Sequence, residues 1–209
     1  MTEQSALTRE PEKPERLFVG SSQRLSLLDP AYNRAKPNED VPNFVYASSD
    51  MGYALCFAFD WAYKPDDPEY QLSRFTDGGA WRLAVDTQGI QRMRNTPGYL
   101  YELDSKQFRS AVGHGTPNTE WVSEEIVTPL STREVNVLDE VMASGVQVYL
   151  TDESILRAMA EDPQHGFSAY RQLDQVGACI NQSEKPESYV SLEAEACSES
   201  SGAHPNAST

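Results

Sequence analysis

The sequence predicts an α+β fold, a single compact domain of many short strands and a few short helices. Short apolar or alternating runs are separated by Gly, Pro, Asn and Asp, the punctuation of strands joined by turns. Two other segments carry apolar residues at helical spacing behind short polar caps. Hydrophobic residues make up only 39% of the chain, but polar residues crowd toward its ends, so the middle keeps most of the aromatic residues and can build a core.

Taken in order, residues 1–15 are polar and contain Pro11 and Pro14, the pattern of a flexible arm. A first strand is expected over 16–19, closed by Gly20, and a second over 44–47 after Pro42. Ser49 or Asp50 then caps a helix to about residue 59, because a short side-chain oxygen accepts from the free amides of a first turn. Met51, Ala54, Leu55 and Ala58 fall on its inner face. A strand over 80–86 aligns Trp81, Leu83 and Val85, and one over 98–103 aligns Tyr99, Tyr101 and Leu103. Later strands are expected over 120–127, 134–138 and 146–150. Thr151 caps a helix over 152–161, whose acidic Asp152 and Glu153 suit its positive end and which Pro163 stops. A further helix is expected over 167–176. Residues 181–209 are rich in Ser, Glu and Ala without an apolar period, so the domain is taken as 16–180 with a disordered tail.

A net charge of −15 repels phosphate backbones and anionic bilayers, which argues against nucleic-acid and membrane partners. Nothing approaches ~18 apolar residues in a row, and the N-terminal residues lack the pattern of a secretory signal. Cys56, Cys179 and Cys197 are odd in number and fit neither a zinc site nor a disulfide framework. Cys56 lies in an apolar run and reads as a small buried hydrophobe. A cytoplasmic protein is expected. The histidines His114, His165 and His204 lack metal-ligand spacing, and no metal site is expected. Dinucleotide, phosphate-loop and nucleophile-elbow signatures are all missing.

Three segments in order suggest chemistry. The first is Leu17-Phe18-Val19-Gly20-Ser21-Ser22. The second runs from Phe44 through Tyr46-Ala47-Ser48-Ser49-Asp50 to Tyr53-Ala54. The third is Gly98-Tyr99-Leu100-Tyr101-Glu102-Leu103, followed by Asn118-Thr119-Glu120-Trp121-Val122-Ser123-Glu124-Glu125 and on to Pro129. Their order resembles the ADP-ribosyltransferase superfamily, notably its poly(ADP-ribose) polymerase-like and RNA 2'-phosphotransferase-like branches. There a strand ends in His-Gly-Ser/Thr, another leads through small residues and tyrosines into a helix, and a late strand begins with the catalytic acid.

The resemblance spans about residues 16–138. It implies a split, mostly antiparallel sheet and an NAD substrate. Gly20 would hold the nicotinamide carboxamide on its backbone, and Ser21 would add a hydroxyl near the nicotinamide or its ribose. Tyr46 or Tyr53 would stack on the nicotinamide ring. Glu120 would accept from the ribose and oppose the positive charge that grows as nicotinamide leaves. Glu124 and Glu125 are the alternative acids if the register shifts, and Glu124 shares the face of Glu120. Val19 stands where the family has histidine, and valine cannot hydrogen-bond a ribose. The function expected is therefore transfer of ADP-ribose from NAD to a protein or small acceptor, or an altered version of that fold acting as a binding module. An RNA-end activity would need a basic groove that this composition does not favour.

Overall fold

The computed structural model describes residues 12–32, 43–59, 70–74, 80–111, 119–161 and 178–179. In chain order the elements are β1 (Arg16–Ser21), β2 (Val45–Ser48), α1 (Met51–Leu55), β3 (Tyr70–Arg74), β4 (Trp81–Val85), α2 (Thr87–Asn95), β5 (Pro97–Asp104), β6 (Arg109–Ser110), β7 (Glu120–Ser123), β8 (Ser131–Asn136), α3 (Val137–Ala143), β9 (Gln147–Leu150), α4 (Glu153–Glu161) and β10 (Ala178–Cys179). The fold is α+β, as expected, with mostly antiparallel strands and short helices. The chain forms two compact units, residues 1–62 with 91–146 and residues 63–90 with 147–209. One of the three boundaries between them, after Ile90, falls inside α2.

The first unit is built on a six-stranded antiparallel sheet in the order β6-β7-β2-β1-β5-β8. One face carries the main core. Leu17, Val45, Ala47, Tyr101, Leu103 and Trp121 pack there, joined by Val19 and Tyr99. This is the alternation expected for Tyr99, Tyr101 and Leu103. Tyr101 also does more than fill space. Its hydroxyl accepts from the Leu25 amide at 2.6 Å and donates to the Gln23 carbonyl at 2.7 Å, which ties the segment after β1 to the sheet.

The opposite face receives α1. Asp50 caps this helix by accepting from the Tyr53 amide at 3.1 Å, one of the two caps expected. The helix ends at Leu55 and a turn carries the chain on, so the expected nine-residue helix is shorter. Ala54, Leu55 and Ala58 are buried as expected, whereas Met51 is exposed. Two glycines explain how closely the chain lies on the sheet. A Cβ on Gly20 would stand 2.0 Å from the Ala54 carbonyl oxygen, and one on Gly98 would stand 2.1 Å from the Ala58 carbonyl oxygen. Cys56 is fully buried with its thiol on the Gly52 carbonyl at 3.3 Å, and burial pushes that thiol well up from its ordinary value.

The strand expected over 120–127 stops at Ser123, whose hydroxyl accepts from the Glu125 amide and turns the chain. Val127 rejoins only through an isolated bridge to Leu28. The strand expected over 134–138 is β8, which begins earlier and ends at Asn136. Asn136 then caps α3 by accepting from the Asp139 amide at 3.3 Å.

The second unit carries the four-stranded sheet β10-β9-β4-β3, in which β4 and β9 run parallel. Ala84, Tyr149, Leu156 and Met159 form its cluster, with Ile155 and Cys179 against it. Thr151 does not cap α4. Its side chain is buried, and Asp152 accepts from the Ile155 amide at 3.0 Å instead. The helix expected over 167–176 lies outside the described residues. No helix among the described residues is long and apolar enough to cross a membrane.

Candidate functional site

The three motif-bearing segments supply four neighbouring strands in the order β7-β2-β1-β5. Their register fixes which side chains share a face. Phe18 stands opposite Ser48, and Ser48 stands opposite Glu120. Strand alternation then places Gly20, Tyr46 and Glu120 on the face that receives α1. Ser21 and Val19 fall on the opposite face.

Glu120 is buried at the start of β7. The Tyr53 hydroxyl, reaching over from α1, donates to its Oε1 at 2.5 Å. Tyr53 is itself held at two points. Asp50 fixes its amide, and Phe57 packs edge-on against its ring, with centroids 5.1 Å apart and planes at 64°. Tyr46 is half-buried and stands edge-on to Phe44, with centroids 6.0 Å apart. Burial, and then the negative charge of Glu120, push the Tyr46 phenol above its ordinary value, so it stays protonated at neutral pH. The Glu120 carboxyl thus lies beside two phenols, one hydrogen-bonded to it and one close enough to feel its charge.

The other expected residues are placed differently. The Cβ side of Gly20 is filled by α1, so the missing side chain makes room for the helix, and a carboxamide could not enter there. The Ser21 hydroxyl accepts from the Gln23 amide at 3.1 Å and shapes the turn after β1. Val19 packs on the main core, away from Glu120. Glu124 and Glu125 are exposed, paired with Arg109 and Gln107 at 3.0 Å and 2.9 Å. Among the three acids, only Glu120 is buried at the tyrosines.

Other residues that hold the site carried no site role in the sequence: Ser49 and Asp50 were cap candidates, and Ser48 and Thr119 only members of the motif segments. Ser48 is buried and accepts from the Asp50 amide at 3.0 Å, which sets the start of α1. Asp50 caps the helix that carries Tyr53. The Thr119 carbonyl accepts from the Ser49 amide at 2.9 Å, joining the strand of Glu120 to the turn before α1. The run Ser48-Ser49-Asp50 was the available signal. A shallow depression of about 600 Å³ on the second unit is lined by Asp152, Glu153, Ser154, Arg157 and Ala158 and holds none of the candidates. No cluster that could hold a metal ion occurs among the described residues.

These features define an α+β protein with a buried glutamate clamped by tyrosine on one face of a sheet. A family model, DUF6886, described as a family of unknown function, matches residues 61–171. That span is just over half of the chain, and the chain belongs to this family. It includes Glu120, whereas Gly20, Ser21, Tyr46 and Tyr53 precede it. No curated protein and no solved structure matches the chain.

Proposed function

We propose that this protein binds NAD on the α1 face of the first sheet and transfers ADP-ribose from it to a protein or small acceptor. The observation that carries the reading is the Tyr53–Glu120 hydrogen bond beside Tyr46, on elements formed by segments whose order along the chain resembles the ADP-ribosyltransferase superfamily. A buried carboxylate can accept from a ribose hydroxyl and oppose the positive charge that develops at the anomeric carbon. Preorganised charge of this kind is commonly the largest catalytic contribution, worth about 3–4 kcal/mol for a single group. Tyr46 supplies an aromatic face for the nicotinamide ring, worth about 0.5–1.5 kcal/mol beyond burial. Gly20 cannot offer its Cβ side to the carboxamide, so any contact it makes uses its backbone from elsewhere.

The test is thermal unfolding in the presence of NAD. At a concentration about 100 times the dissociation constant, binding stabilises the folded protein by about 2.7 kcal/mol. A rise in Tm that follows this concentration dependence supports the reading, and an unchanged Tm at millimolar NAD removes it. A second reading, an interaction module of the same fold without activity, draws on one observation. Val19, which stands where the ADP-ribosyltransferase superfamily has histidine, faces the main core, so no side chain from that position reaches Glu120. NAD binding without nicotinamide release would favour this second reading.

A further inference from the structure

Building on the NAD reading above, we infer that Tyr53 is the positioning residue for Glu120, which leaves Tyr46 as the aromatic platform. The sequence offered the two tyrosines as interchangeable candidates, and the structure separates their surroundings. The Tyr53 hydroxyl donates a hydrogen bond to Glu120 Oε1 at 2.5 Å. Its ring is braced by Phe57 and its amide by the Asp50 cap, so the donor arrives from a fixed direction. Tyr46 sits on β2, half-buried, close enough to Glu120 to feel its charge.

A carboxylate that must face a ribose needs its orientation set before the substrate arrives. A hydrogen-bond donor on a short, capped helix packed directly on Gly20 does this. Small errors in such placement, on the order of 1 Å, can cost ~100-fold in rate. Tyr53 therefore acts through Glu120 and not on the substrate.

The experiment measures nicotinamide release from NAD by the full chain and by Tyr53→Phe, which deletes only the hydroxyl and keeps the ring on Phe57. The expected result is a kcat lower by about 10–100-fold with KM for NAD changed by less than about twofold. In a Glu120→Gln background, Tyr53→Phe is expected to change kcat no further, because two groups that act as a unit are not additive. 4-Aminophenylalanine at position 53, which keeps a ring and an N–H donor, should restore kcat. If Tyr53→Phe does not fold, that variant decides: retained kcat supports the assignment and lost kcat overturns it. Wild-type release with an unchanged kcat in Tyr53→Phe overturns the assignment alone, as does a raised KM at constant kcat, which would make Tyr53 the platform. Absence of release by the wild-type chain removes the ADP-ribose transfer reading and this inference with it.

Discussion

At the scale of residues, Tyr46 and Glu120 share one electrostatic environment. The Tyr46 phenol is raised first by burial and then by the carboxylate charge. A folded-state value above the unfolded value means that the protonated phenol favours the native state. That contribution is fully present below the ordinary value of 10.0 and is lost as pH rises through the raised folded value. Tyr101, buried on the other face, is raised as well, mainly by burial, and acts in the same sense. Tyr46→Phe removes one of the two contributions. Its urea unfolding free energy should therefore fall less between about pH 8 and about pH 11 than that of the wild type. An equal fall in both proteins would place Tyr46 outside this environment. Glu120 was singled out in the sequence only through the family resemblance, because a glutamate at the start of an apolar strand is commonly solvated and local pattern does not reveal its burial. Its bond to Tyr53 was not legible, because it depends on where α1 crosses the sheet.

At the scale of elements, α1 is the part that assembles the site. It has five residues, too few to hold a helix by propensity, so its cap and its packing must do so. Asp50→Ala removes the acceptor for the Tyr53 amide and should cost about 0.5–2 kcal/mol in urea denaturation, with Asp50→Asn costing less. Because the cap holds the backbone of Tyr53, the Ala variant should also lower nicotinamide release, and unchanged release would separate α1 from the chemistry. The caps and strand faces that local chemistry dictates were readable: Asp50 as a cap, and Tyr99, Tyr101 and Leu103 as one core face. Two helices were not. In α3, Val137 and Val141 read as strand formers, and only the Asn136 cap and the spacing of Val137, Leu138 and Val141 reveal the helix. In α2, Gly89, Asn95 and a polar surface mask the buried pair Ile90 and Met93. Thr151 was mistaken for a cap because the sequence places two competent oxygens side by side, and burial of the first leaves the task to Asp152.

At the scale of the whole molecule, strand order carries the functional reading. Segments far apart in sequence, ending near Gly20, Ser48 and Glu120, become adjacent strands, and α1 closes over them. Long-range pairing of that kind cannot be computed from local pattern, so the sequence offered the order of the segments along the chain and not which strands lie side by side. The family match covers Glu120 and begins after Tyr53, so the pair joins a residue inside the matched span to one before it. The most direct measurement is the rate of nicotinamide release from NAD by the wild-type chain and by Glu120→Gln, with NAD binding followed in both. The account predicts release by the wild type, a rate at least about 100-fold lower in the variant, and binding retained. Equal rates in the two proteins, or no release by either, would contradict it.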